Sequence, residues 1–151
     1  MLQKPNAIDI VRAKAAESSA VYISENIQSG QLFSDRLRLW DLASQHVSRG
    51  GLFLEFGVSR GKSINYFASQ LDASIKMFGF DSFEGLKEGF AGTEWTKGAF
   101  TTNGKIPKLD SRITVIKGWF EQTLPIFAKK LDSPILLFIL IPIHTNPLTS
   151  Y

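Results

Sequence analysis

The run Leu52-Phe53-Leu54-Glu55-Phe56 leads without a break into Gly57-Val58-Ser59-Arg60-Gly61-Lys62-Ser63, and that turn opens onto Ile64-Asn65-Tyr66-Phe67-Ala68-Ser69-Gln70-Leu71. No other stretch narrows the choice of fold as far. A short apolar strand that turns at glycines into a helix aims backbone N–H groups at whatever lies beyond the strand end. Three more strand-like segments follow: Lys76 to Phe80, ended by Asp81, then Arg112 to Lys117, and then the apolar run Ile135 to Ile141. Strands that alternate with helices imply an α/β fold, with a parallel sheet covered by helices on its faces.

The remaining segments fit this plan. From Ile8 to about Ile27 there is neither Gly nor Pro, as in a helix. A second helix is expected from Ser34, a good N-cap residue, with Phe33, Leu37, Trp40 and Val47 near helical spacing and Gly50-Gly51 as its end. Phe120 to Leu131 reads as a helix interrupted early by Pro125. Ser82 to Asp110 is rich in Gly, Thr and Lys and long for a connection. Loops of that length in compact domains tend to be lids or binding loops.

Composition excludes several functions. With 151 residues, 44% of them hydrophobic, the chain can bury one core and is too short for two independent domains. The net charge of +3 is scattered along the chain and gathers no basic stripe, so no nucleic-acid partner is expected. There are no cysteines, which excludes disulfides, thiolate zinc sites and cysteine nucleophiles and fits a reducing cytoplasm. The N-terminus lacks the apolar stretch of a signal peptide. The longest apolar run, Ile135 to Ile141, falls far below the roughly 20 residues of a membrane span, so no membrane partner is expected.

Two signals carry chemistry. Gly57 and Gly61 permit positive φ and close approach of a ligand to bare backbone. Their G-x-x-x-G spacing differs from the G-x-G-x-x-G of dinucleotide binders. Gly61-Lys62-Ser63 looks like the end of a P-loop, but Phe56 stands where that motif needs its first glycine. Taken alone, the segment is also compatible with an ordinary strand-to-helix turn. Asp81 ends the second strand about 20 residues after the loop, where a carboxylate can accept from ribose hydroxyls. Alone it reads as the cap of a turn. In this order and spacing the two signals favour an adenosine-containing cofactor. His46, in a helix, and His144, in the tail, are not convincing catalysts. Arg60 and Lys62 read as solvated loop charges.

With these residues in view, the chain resembles the macrocin O-methyltransferase family of class I methyltransferases. The resemblance rests on four ordered blocks within residues 33 to 137. They are Glu55-Phe56-Gly57-Val58 with Gly61 and Ser63, Phe80 to Leu86, Gly98-Ala99-Phe100, and Lys117 to Pro125. It implies a Rossmann-like fold, here the N-terminal half of a doubly wound parallel sheet with strand order 3-2-1-4, preceded by helices over residues 1–50. The cofactor-binding core would span 51–137 and a divergent tail 138–151. It implies S-adenosylmethionine as cofactor and transfer of its methyl group to a hydroxyl of a sugar or other small natural product. Glu55, Phe56, Gly57, Val58, Ser59, Gly61 and Ser63 would lie toward the amino-acid end. Asp81 would take the ribose, Ser82 and Phe83 would flank the adenine, and Gly118, Trp119 and Phe120 would close the pocket. For Trp119 and Phe120, core packing is an equal alternative.

After the fourth strand the family continues with His-Ile-Asp-x-Asp-x-Tyr, whose acids are associated with a divalent metal, Mg²⁺, and with catalysis. This chain carries no charged residue after Asp132, so those ligands are missing from its sequence. Codons compatible with Phe138 to Thr145, read in a shifted frame, permit that same motif. A truncated or frameshifted reading frame is therefore expected, with self-association through the uncovered fourth strand. Two alternatives stand beside an active enzyme: a catalytically inactive cofactor-binding remnant, and a nucleotide-binding domain of another α/β family.

Overall fold

The structure, a computed structural model, describes residues 5–27, 30–47, 50–90, 95–131 and 133–140. The chain divides into two units, residues 1–36 and 37–151. The first holds helix α1, Ala7–Asn26, which agrees with the expected helix to within a residue. Asn6 starts it with a reciprocal cap: its side chain accepts from the Asp9 amide at 3.0 Å, and the Asp9 carboxylate accepts from the Asn6 amide at 3.2 Å. None of the residues of α1 is buried.

Helix α2, Arg36–Gln45, begins two residues after Ser34 and stops well short of Gly50-Gly51. Its end is set locally. His46 and Val47 donate to the carbonyls of Ala43 and Ser44, three residues back, which tightens the last turn and closes the helix without glycine. His46 points Nδ1 at the Leu42 carbonyl, 2.8 Å away, and is exposed. Trp40 and Val47, of the residues at helical spacing, pack on the core of the second unit together with Ala43, whereas Leu37 is exposed.

That core surrounds a four-stranded parallel sheet: β1 Leu52–Phe56, β2 Lys76–Asp81, β3 Ile113–Lys117 and β4 Ile135–Leu140, in the order β3-β2-β1-β4. This is the expected 3-2-1-4 order of a Rossmann-like α/β fold. Helix α3, Lys62–Gln70, links β1 to β2, and α4, Phe120–Ala128, links β3 to β4. Strand alternation sorts the side chains between two layers. Phe53, Met77, Ile113 and Val115 pack with Ile64 and Phe67 of α3, whereas Leu52, Leu54, Phe78, Phe80 and Ile116 pack with Phe120, Leu124 and Phe127 of α4. Arg112 fastens the C-terminal end of α3 by donating to the carbonyls of Ala68 and Leu71.

Pro125 does not interrupt α4. It removes one intrahelical donor, but Leu124 and Phe127 on either side of it bury against the sheet, and that packing carries the helix through. The divergent tail expected over 138–151 begins within β4, and its residues 141–151 lie outside the described residues.

Candidate functional site

The C-terminal ends of β1, β2 and β3 meet at one edge of the sheet, where open α/β folds bind their ligands. The loop after β1 owes its course to its glycines. Gly57 has φ +93° and Gly61 φ +74°, the left-handed region where a side chain is strained. Gly57 donates to the Phe80 carbonyl at 2.9 Å, and Gly61 to that of Val58 at 2.8 Å. Ser59, between them, also has positive φ, at 49°.

Asp81 ties that loop to its neighbours. One carboxylate oxygen accepts from the Ser59 amide at 2.6 Å and the other from the Phe83 amide at 2.7 Å. The Asp81 carbonyl accepts from Gly118 at 3.0 Å, at the start of the β3–α4 loop. One residue thus fixes three loops at the sheet edge. Each carboxylate oxygen has a further lone pair, so ligand hydroxyls can still donate to it.

Glu55, one residue from the end of β1, is completely buried. The Ser63 hydroxyl, in the first turn of α3, donates to its Oε1 at 2.9 Å, and Oε2 has no hydrogen-bond partner. Burial pushes this carboxyl up to about 7; the Ser63 hydroxyl and the nearby Ile64 amide pull the other way, and the charge of Asp81 adds a little to the rise. The register sets Glu55 opposite Gly79. A Cβ there would meet Val58 Cγ2 at 2.7 Å and Ile64 Cδ1 at 2.9 Å, so the missing side chain lets loop and helix close over the carboxyl.

The long connection after Asp81 folds back on itself. Leu86 donates to the Ala99 carbonyl at 3.0 Å and accepts from Gly98 at 2.9 Å, and the Phe83 carbonyl accepts from Thr102 and Gly104. Two of the blocks singled out in the sequence, Phe80 to Leu86 and Gly98-Ala99-Phe100, are therefore hydrogen-bonded partners. Glu84, Leu86, Lys87, Lys97, Gly98 and Trp119 line a shallow cavity between this excursion and the β3–α4 loop. Lys87 sits 4.5 Å from the centroid of the Trp119 ring.

The other expected site residues divide by environment. Val58 and Phe83 are buried in the core layer under α3, and Ser82 is buried with its hydroxyl accepting from the Glu84 amide at 3.2 Å. Phe56 stacks on Phe80 with ring centroids 4.8 Å apart and meets Phe120 edge-on at 5.8 Å, so both rings are engaged in packing on the α4 side. Arg60 and Lys62 are exposed. Leu86 and Lys87 line this cavity although neither is among the residues expected from the sequence, because the Gly85-Leu86 and Gly98-Ala99 blocks meet only through their hydrogen bonds.

Among the described residues no group of three His, Cys, Asp or Glu side chains could hold a metal ion, and no helix is long and apolar enough to cross a membrane. The chemistry present is that of a strand-end carboxylate and a buried carboxyl with one unpaired oxygen, beside a loop whose two glycines are themselves buried, Gly61 against Leu109 and Pro107. Compared with known proteins, residues 54–142 match the family model described as a methyltransferase domain. No curated protein and no solved structure matches significantly.

Proposed function

Because the matched residues are more than half of the chain, the protein belongs to the methyltransferase-domain family, and from that membership we propose that it binds S-adenosylmethionine at the edge formed by β1, β2 and β3. The observation that carries this reading is Asp81, whose carboxylate joins the Gly57–Gly61 loop to the turn at Phe83. The residues fit the group: the carboxylate oxygens of Asp81 can each accept a further hydrogen bond, and Glu55 Oε2 is a buried acceptor still without a donor. Asp81 holds the ribose hydroxyls, and Glu55 and Ser63 stand toward the amino-acid end. Ser82 and Phe83, expected beside the adenine, are buried, which leaves Trp119, expected to close the pocket, as the partly exposed aromatic to border it. When bound, this cofactor supplies an electrophilic methyl group on a sulfonium, which enzymes of the macrocin O-methyltransferase type transfer to a hydroxyl of a sugar or small natural product.

The chain's own contribution is binding and orientation, the terms that dominate in-line transfer between two held reactants. The described residues offer no ligand set for Mg²⁺, so no step is assigned to a metal. Calorimetric titration of S-adenosylmethionine and S-adenosylhomocysteine into wild type and Asp81→Ala tests the reading. Hydrogen bonds to a charged group are worth about 1.5–3 kcal/mol, so the variant should bind roughly 10–100-fold more weakly. Equal heats in both proteins would remove Asp81 from the site.

A second reading, a binding domain without turnover, is favoured by the sequence from Ser133 to Tyr151, which contains no Asp, Glu, Lys or Arg. A labelled-methyl assay against candidate sugars, with and without Mg²⁺, should then stay at background. Turnover above background would return the chain to the active enzymes.

A further inference from the structure

The cofactor reading sets the adenine beside Trp119, an aromatic side chain that the fold does not hold by packing alone. The Trp119 backbone is fixed, since its carbonyl accepts from the amides of Gln122 and Thr123 and from the Thr123 hydroxyl. Its side chain is only partly buried. The Lys87 ammonium lies over one face of the indole, 4.5 Å from the centroid, and pairs at the same time with the Glu121 carboxylate, in the first turn of α4. Lys87 itself follows Leu86, which is pinned to Gly98 and Ala99 through both its N–H and its carbonyl. The ammonium thus spans two anchored stretches of backbone, the excursion after β2 and the loop after β3.

We propose that Lys87 is a positioning residue for the base of the bound nucleoside: held by Glu121, it sets the plane of Trp119 against which that base rests. This deepens the cofactor reading and depends on it. With one face of the indole taken by Lys87, a planar base must use the other face or the edge, so Lys87 decides how much of the ring is offered. An exposed ion pair alone contributes little. Here the same ammonium is restrained by a carboxylate and by a ring, and the cation–π contact adds to the pair.

The test uses the full chain labelled with 5-fluorotryptophan, with the fluorine resonance of Trp119 assigned by its loss in Trp119→Phe. Lys87→Met should shift or broaden the Trp119 resonance and leave that of Trp40 in place. It should also weaken adenosine and S-adenosylhomocysteine by the same factor, about two- to fivefold, because the loss sits at the base that both share. Lys87→Arg, which keeps the charge and stacks on rings, should restore both signals. An unmoved Trp119 resonance overturns the proposal, as does a moved resonance with adenosine affinity unchanged or a failure of Lys87→Arg to rescue. If wild type binds neither ligand, the cofactor reading falls and takes the base-positioning role with it. If wild type binds both and Lys87→Met binds them equally, only the role of Lys87 falls.

Discussion

Glu55 carries two opposing demands in one side chain. It is fully buried with one satisfied oxygen, and burial raises its carboxyl to about 7 from an ordinary value of 4.5. The sign of the consequence follows from proton counting. Between pH 4.5 and 7 the folded protein holds this proton and the unfolded chain releases it, so stability is fully present below about 4.5 and is lost as pH rises through 7. The loss approaches about 3 kcal/mol above pH 7, taking 1.36 kcal/mol for each tenfold change in proton affinity. Glu55→Gln, which cannot ionise, should therefore unfold at higher denaturant than wild type at pH 8 and lose that advantage at pH 4.5. A difference independent of pH would show that the carboxyl titrates normally. The sequence marked Glu55 and Ser63 as site residues but could not reveal the open oxygen. That depends on Gly79 arriving opposite Glu55 and on Val58 and Ile64 filling the space above it, a register that no local pattern encodes. Lys87 was hidden for the same reason, because its partners Trp119 and Glu121 lie more than 30 residues away and meet it only once the excursion folds.

Elements were legible where periodicity and turn chemistry agreed. β1, α3 and β2 have clear glycine and aspartate boundaries, and their positions follow from the sequence to within two residues. α2 departs from expectation at both ends, and α4, which starts at Phe120 as expected, departs at Pro125 and at its C-terminal end, because glycine and proline signals yield there to local carbonyl geometry and burial. The segment from Ser82 to Asp110 was read as a long loop, and it contains order of its own. Gly85 is its pivot. It has φ +80°, and a Cβ there would lie 2.4 Å from the Ala99 carbonyl oxygen and 2.5 Å from that of Gly98. Both atoms are backbone, so neither can rotate away. Gly85→Ala should cost about 1–3 kcal/mol from the left-handed conformation, and more if the hydrogen-bonded segments of the excursion separate. Chemical denaturation would measure the loss, and limited proteolysis within residues 86–100 should accelerate before global unfolding. A variant that resists protease as well as wild type does would mean that the paired excursion is absent in solution.

At the scale of the molecule, the order β3-β2-β1-β4 leaves β4 hydrogen-bonded to β1, and among the described residues no strand pairs with its other edge. The sequence of that strand, Ile135-Leu136-Leu137-Phe138-Ile139-Leu140, contains no charge and no proline, the features that commonly protect an exposed edge. A parallel or antiparallel partner strand would satisfy the backbone groups of that edge. Each large apolar side chain it covered would add roughly 1.5–3 kcal/mol, a large increment beside a typical net stability of about 5–15 kcal/mol. A second copy of the chain offers the same edge, and two such edges can pair antiparallel about a twofold axis. The protein is therefore expected to self-associate as its concentration rises, with light scattering across a dilution series reporting a mass that climbs from monomer to dimer or beyond. Leu137→Lys, which places a charge within the strand, should shift that series toward monomer. If wild type stays monomeric at the highest concentration and unfolds in a single cooperative step, β4 is covered from within the chain and the proposed association is wrong.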